Sequence, residues 1–101
     1  MPSSRAFLEF VLDGLSSLPD ITHRAMMGEF IIYYHGIVVG GIYDNRLLIK
    51  PTKSVQKIMP NANMEIPYPG GKPMIMIDDV ENAEILTAAF NAAYDDLKKD
   101  N

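Results

Sequence analysis

Residues 22–50 read THRAMMGEFIIYYHGIVVGGIYDNRLLIK, a loop followed by three apolar segments rich in Ile, Val and Tyr. That composition predicts strands at 29–34, 37–43 and 46–50. His35-Gly36 and Asp44-Asn45 are two-residue connectors of the kind that close hairpins, so the three strands form an antiparallel meander. Phe30 and Ile32 point to one side of it, Ile31 and Tyr33 to the other. A sheet with one wet face alternates apolar and polar residues instead. The second face is therefore expected to be covered by a helix, a loop or a partner subunit. Gly40-Gly41 has no side chain to pack and marks a bulge or a close approach of backbones.

On the amino-terminal side, Ser3 or Ser4 can cap a helix by accepting a hydrogen bond from a free amide of its first turn. Phe7, Leu8, Val11, Leu12, Leu15 and Leu18 then recur at three- and four-residue spacing, the stripe of an amphipathic helix. Pro19 ends it. On the carboxyl-terminal side, Pro51-Thr52 opens a short helix at about 53–59. A second hairpin is predicted from 64–68 and 73–77 around Pro69-Gly70-Gly71-Lys72. The last helix runs from about 82 to 98 and carries Ile85, Leu86, Ala89, Phe90, Ala93, Tyr94 and Leu97 on one stripe. The predicted order is α-β-β-β-α-β-β-α. This is a two-layer α+β fold on an antiparallel five-stranded sheet, and residues 1–101 make one domain.

Composition narrows the chemistry. The chain has no Cys, which removes disulfides, thiolate nucleophiles and thiolate metal sites together and fits a reducing cytoplasm. No basic-plus-apolar leader is expected, because Ser3, Ser4, Arg5 and Glu9 interrupt the start. No apolar run approaches the roughly 20 residues of a membrane span. The net charge of −4 is unevenly spread. Residues 1–45 hold two Arg against five carboxylates, and residues 74–101 hold two Lys against seven. Between them Arg46, Lys50, Lys53, Lys57 and Lys72 face Glu65 alone, a basic island in an acidic protein.

Three sets of residues carry a family likeness. Arg24-Ala25-Met26-Met27-Gly28-Glu29-Phe30 matches an R-x-M-F-G-G-Y/F pattern, and Leu47-Leu48-Ile49-Lys50 stands where L-Y-L-K is favoured. Pro67-Tyr68 with Gly71-Lys72-Pro73 follows a P-F-x-Y…G-K-P segment. On these residues the chain resembles the N-terminal domain of the TfoX/Sxy family, bacterial proteins associated with regulation of natural competence. Met27 replaces an aromatic of that pattern, and Glu29 and Ile31 stand where glycines are common. The resemblance implies an α+β fold likened to secretion chaperones. Full-length members resembling TfoX carry a second, helical domain. This chain is expected to be the stand-alone N-terminal module.

The site candidates are few. His23, in the loop before Arg24, and His35, in a turn, are read as exposed loop histidines. Without Cys, only carboxylates could complete a metal site around them. None of the serines lies in a G-x-S-x-G elbow, and neither glycine pair precedes a helix as a phosphate loop does. No catalytic residue, metal or cofactor is expected. The candidates for an anion or partner contact are Arg24, Arg46, Lys50, Lys53, Lys57 and Lys72. For Arg24 the competing reading is a structural tie to a carboxylate or to backbone carbonyls. The candidates for a homodimer interface are Ile31, Tyr33, Val39, Gly40 and Gly41, with Val39→Asp or Gly41→Asp expected to split the dimer. A monomer whose 18–27 loop folds back over the same face is the alternative. The leading functional expectation is a non-enzymatic regulatory module in the cytoplasm that binds an unidentified protein. The resemblance implies a role in transcription regulation of competence. Direct nucleic-acid binding through the basic island at 46–72 comes second, and a small-molecule-binding or catalytic domain third.

Overall fold

The computed structural model describes residues 2–99. In chain order the elements are α1 (Arg5–Gly14), β1 (Ile21–Met26), β2 (Glu29–Tyr34), β3 (Ile37–Tyr43), β4 (Arg46–Ile49), α2 (Lys53–Ile58), β5 (Met64–Glu65), β6 (Met74–Met76) and α3 (Ala83–Lys98). One sheet holds all the strands in the order β1-β2-β3-β4-β6-β5, and every pairing is antiparallel. The α+β class and the meander are as predicted. The sheet has six strands rather than five, because residues 21–26 extend it as an edge strand.

Two physical features hide β1 from its sequence. Its residues from Thr22 to Met26 are all exposed, so no alternation of apolar and polar residues marks it. Its turn, Met27-Gly28, sets both residues at positive φ, +53° and +85°. Methionine seldom occupies the first of those positions. The other two hairpin turns have the same geometry, with His35, Gly36, Asp44 and Asn45 all at positive φ. Here Asn and Asp tolerate the left-handed region, as does Gly. The second predicted hairpin shrinks to the short strands β5 and β6, since Pro67, Pro69 and Pro73 cannot donate to a ladder.

The three helices bury their apolar stripes against one face of the sheet. Leu8 and Val11 of α1, Val55 of α2, and Leu86, Ala89, Phe90 and Ala93 of α3 share a core with Phe30, Ile32, Ile42, Leu47, Ile49 and Ile75. Each helix starts on a side-chain cap. Ser4 Oγ accepts from Phe7 N, Thr52 Oγ1 from Val55 N and Asn82 Oδ1 from Ile85 N.

A further tie joins the last two helices. Asp96 of α3 accepts from the backbone N (2.8 Å) and the hydroxyl (2.9 Å) of Ser54, in the first turn of α2. The Ser54 amide, then its hydroxyl, holds the Asp96 carboxyl below its ordinary range. Because the folded-state value is depressed, the stabilisation is complete above the ordinary carboxylate value and is lost as pH falls through the lowered one. Asp96→Ala should therefore lower the melting temperature at neutral pH. The gap to the unsubstituted chain should narrow once the pH drops below about 4, as thermal melts at stepped pH will show.

Half of the second face is covered by the chain itself. Tyr43 and Arg46 are paired across β3 and β4 and point away from the helices. The β5–β6 connection, residues 66–73, lies over them. Tyr68 packs with its ring 6.0 Å from that of Tyr43, and Pro67 is buried. Arg46 fastens this arch. Its guanidinium meets Glu65 Oε1 at 3.0 Å and donates to the carbonyl oxygens of Ile66 and Tyr43. Leu48, paired with Gly41 and Met76 on the same face, is fully buried. Neither a partner subunit nor a folded-back 18–27 segment is needed to cover this half of the sheet.

A bulge alters which residues face which way. The β2–β3 register shifts between Ile32 and Tyr33, so that Ile32 pairs with Gly40 and Tyr33 with Val38. Val39 and Gly40 consequently both turn toward the helices. Val39 is fully buried in the core, which corrects its assignment to an interface. A Cβ on Gly40 would sit 2.2 Å from the Leu48 carbonyl oxygen, and one on Gly41 2.6 Å from that of Phe30. Asp at Val39 or Gly41 would therefore disrupt the chain's own packing, whatever its oligomeric state.

Candidate functional site

The predicted site residues fall into three separate places. Arg24 lies exposed on β1 and pairs directly with Ile31 of β2. Register puts Thr22, Arg24 and Met26 on the outer face beside Tyr33, Ile31 and Glu29. Ile31 and Tyr33 are half-buried there. Among the described residues no carboxylate forms an ion pair with Arg24. At the end of this hairpin Met26 is 49% exposed and Met27 97% exposed, an apolar tip. Met27 replacing an aromatic was the signal available for it.

The basic island is not one patch. Arg46 is consumed by the arch, as described above. Lys53 and Lys57 stand exposed on α2. Lys50 and Lys72 line a cleft of about 640 Å³ between the outer face of the sheet and the 66–73 arch. Its other walls include Val38, Tyr43, Tyr68 and Met74. Burial first, then the neighbouring Tyr68 and Glu29, pushes the Tyr43 hydroxyl above its ordinary range, so it stays neutral at physiological pH. Beyond the Pro67–Tyr68 ridge lies a second hollow, and that one is walled by Glu29, Asp44 and Arg46.

The histidines are also placed. His23 sits on β1 rather than in a loop, with its ring edge-on to Phe30 at 6.3 Å. His35 stacks on Tyr34 at 4.5 Å and lies 5.1 Å from the Tyr94 ring. Its Nδ1 is 3.4 Å from Asp20 Oδ2. Among the described residues no group of three or more His, Asp or Glu side chains is close enough to hold a metal ion. None of the described helices is long and apolar enough to cross a membrane.

Comparison with known proteins adds the lineage. The family model of the TfoX N-terminal domain matches residues 13–95. The chain belongs to the TfoX N-terminal domain family. This family is known in competence-related proteins and is not an enzyme family. The TfoX N-terminal domain described here is also similar to a curated protein of Spirochaeta aurantia, described as an uncharacterized 12.7 kDa protein in the trpE 5' region. The two are 34% identical over 80 residues, covering 79% of this chain and 70% of the relative. No solved structure matches the chain. The residues that carried the resemblance now have structural roles. Arg24 to Phe30 form the β1–β2 turn with its flanks, and Leu47 to Ile49 lie within buried β4. Pro67-Tyr68 and Gly71-Lys72-Pro73 build the arch.

Proposed function

We propose that this TfoX N-terminal domain is a non-enzymatic regulatory module of the bacterial cytoplasm. It docks a protein partner through the β1–β2 hairpin tip and the adjoining outer face, in the transcription regulation of competence that its family membership suggests. Met27 is the observation that carries the reading. It is 97% exposed and sits at φ +53°, where a side chain other than Gly, Asn or Asp costs about 1–2 kcal/mol. An apolar side chain held on strained backbone in open solvent adds nothing to the folded state. Strain of this kind concentrates at functional positions, and flexible methionines suit adaptable contact surfaces. Arg24 and the half-buried Ile31 and Tyr33 extend the surface beside it.

Met27→Asn separates function from stability. Asn tolerates the left-handed region, so the variant should gain about 1 kcal/mol in urea denaturation. It should also lose the protein captured by the unsubstituted domain from a lysate of the source organism. Equal capture by both forms would defeat the proposal. Light scattering identifies the partner class. A mass of 11.3 kDa across micromolar concentrations means a different protein. A doubled mass that Met27→Asn abolishes means a second copy of the chain.

A further inference from the structure

The cleft beneath the arch lies apart from the hairpin tip, and its chemistry is different. Its volume, about 640 Å³, falls within the roughly 300–1,000 Å³ typical of small-molecule sites. Its lining has the composition such sites share, mostly apolar with a few convergent polar groups. Val38 and Met74 supply apolar walls. The Gly40 backbone lines part of its floor. Tyr43 and Tyr68 stand 6.0 Å apart with ring planes at 57°, which forms an angled aromatic corner against which a planar body can pack edge or face.

The charges at its rim select the ligand further. Lys50 comes from the end of β4 and Lys72 from the arch, so they approach the cleft from different segments. No carboxylate forms an ion pair with either among the described residues, although the protein carries four more negative than positive charges. Glu29 and Asp44 line the hollow on the other side of the Pro67–Tyr68 ridge. Glu29 and Glu65 are in any case occupied by bonds to Ser3 and Arg46. The Thr52 hydroxyl on the rim caps α2 and bonds to the Asp96 carboxylate, which is itself held by Ser54. A bare inorganic anion would leave the aromatic corner unused. A neutral apolar molecule would leave two ammonium groups unanswered over an apolar cleft.

We infer that the cleft between the β3–β4 face and the 66–73 arch binds a small carboxylate built on a planar apolar body, with Tyr43 and Tyr68 packing the body and Lys50 and Lys72 meeting the carboxylate. The occupant would be a low-molecular-weight effector of the module. Binding would act through the arch, because residues 66–73 form one wall of the site.

Naphthalene-2-carboxylate is the probe, compared with 2-naphthylmethanol, which lacks the charge, and with acetate, which lacks the body. In titrations followed by amide nitrogen–proton spectra, naphthalene-2-carboxylate should shift Gly40, Gly70, Gly71 and Lys72. It should bind at least about tenfold more tightly than the alcohol, the ratio expected when one charge-assisted hydrogen bond is gained, and more tightly than acetate, which has no body to pack against the tyrosines. Lys50→Gln and Lys72→Gln should each weaken the carboxylate about tenfold while leaving the alcohol unchanged. Lys50→Arg and Lys72→Arg should retain binding. Shifts scattered outside the cleft, or equal affinity for the carboxylate and the alcohol, would overturn the inference. The result is independent of the partner-docking reading, since Met27→Asn leaves the cleft intact and the Lys→Gln variants leave the hairpin tip intact.

Discussion

Phe90→Ala is expected to destabilise the domain by about 3–5 kcal/mol, the range for truncating a buried aromatic. Phe90 is fully buried on the stripe of α3 that meets the sheet. Leu86, Ala89 and Ala93 flank it on the same helix, and all are buried as well. The two alanines are too short to close the space it would vacate, so the cavity term remains largely unrelieved. A domain of this length has about 5–15 kcal/mol of stability in total, and losing this much brings it close to unfolding at body temperature. Urea denaturation measures the change. A loss below about 1 kcal/mol would mean that α3 packs on the sheet through another face.

Gly40→Ala is expected to cost about 3 kcal/mol or more, beyond the usual penalty for one added methyl group in a core. The reason is the identity of the neighbours. The new Cβ would lie 2.2 Å from the Leu48 carbonyl oxygen and 2.8 Å from the Ile49 Cα. Both are backbone atoms of the adjoining strand, so no side-chain rotation relieves the clash, and β3 and β4 must separate. Their register, Gly40 against Ile49 and Gly41 against Leu48, would be the first to fail. Loss of amide protection at Gly41 and Leu48, measured by hydrogen exchange, reports this directly. A variant with unchanged stability would show that the bulge is set differently.

The elements that could be read from sequence are those whose own burial is periodic. The α3 stripe repeats over four turns, and each of its buried residues was on the predicted list. The β2 to β4 meander was equally plain, because its turns carry His-Gly and Asp-Asn at the positions that need positive φ. Strand β1 left no such trace. Only its hydrogen bonds to β2 make it a strand, and its residues from Thr22 onward are exposed. The bulge at Val39 and Gly40 misled in a different way. Strict alternation from Ile42 puts Val39 on the outer face, and a single extra residue reverses that assignment for everything before it. The candidate surfaces were less readable still. Lys50, Lys72, Tyr43 and Tyr68 are brought together by the arch, a long-range fold of a Pro- and Gly-rich segment whose path no local pattern specifies. Arg46 looked like one cation among five until Glu65 and two carbonyl oxygens were found around it.

Glu29 stands where glycines are common in the family pattern, and the structure gives that departure a use. Its carboxylate accepts from the backbone N and hydroxyl of Ser3 and from the Asp44 amide. Ser3 N also donates to the Gly28 carbonyl oxygen, and Asn45 N donates to Ser3 Oγ. One side chain thus joins the chain's early residues to both turns at that end of the sheet. The loop that presents Met27 is held in shape before anything touches it. The entropy of ordering it is lost during folding, so an encounter with a partner does not have to supply it. Glycine at position 29 would leave the same methionine on a looser support, and contact would then begin with a search among conformations.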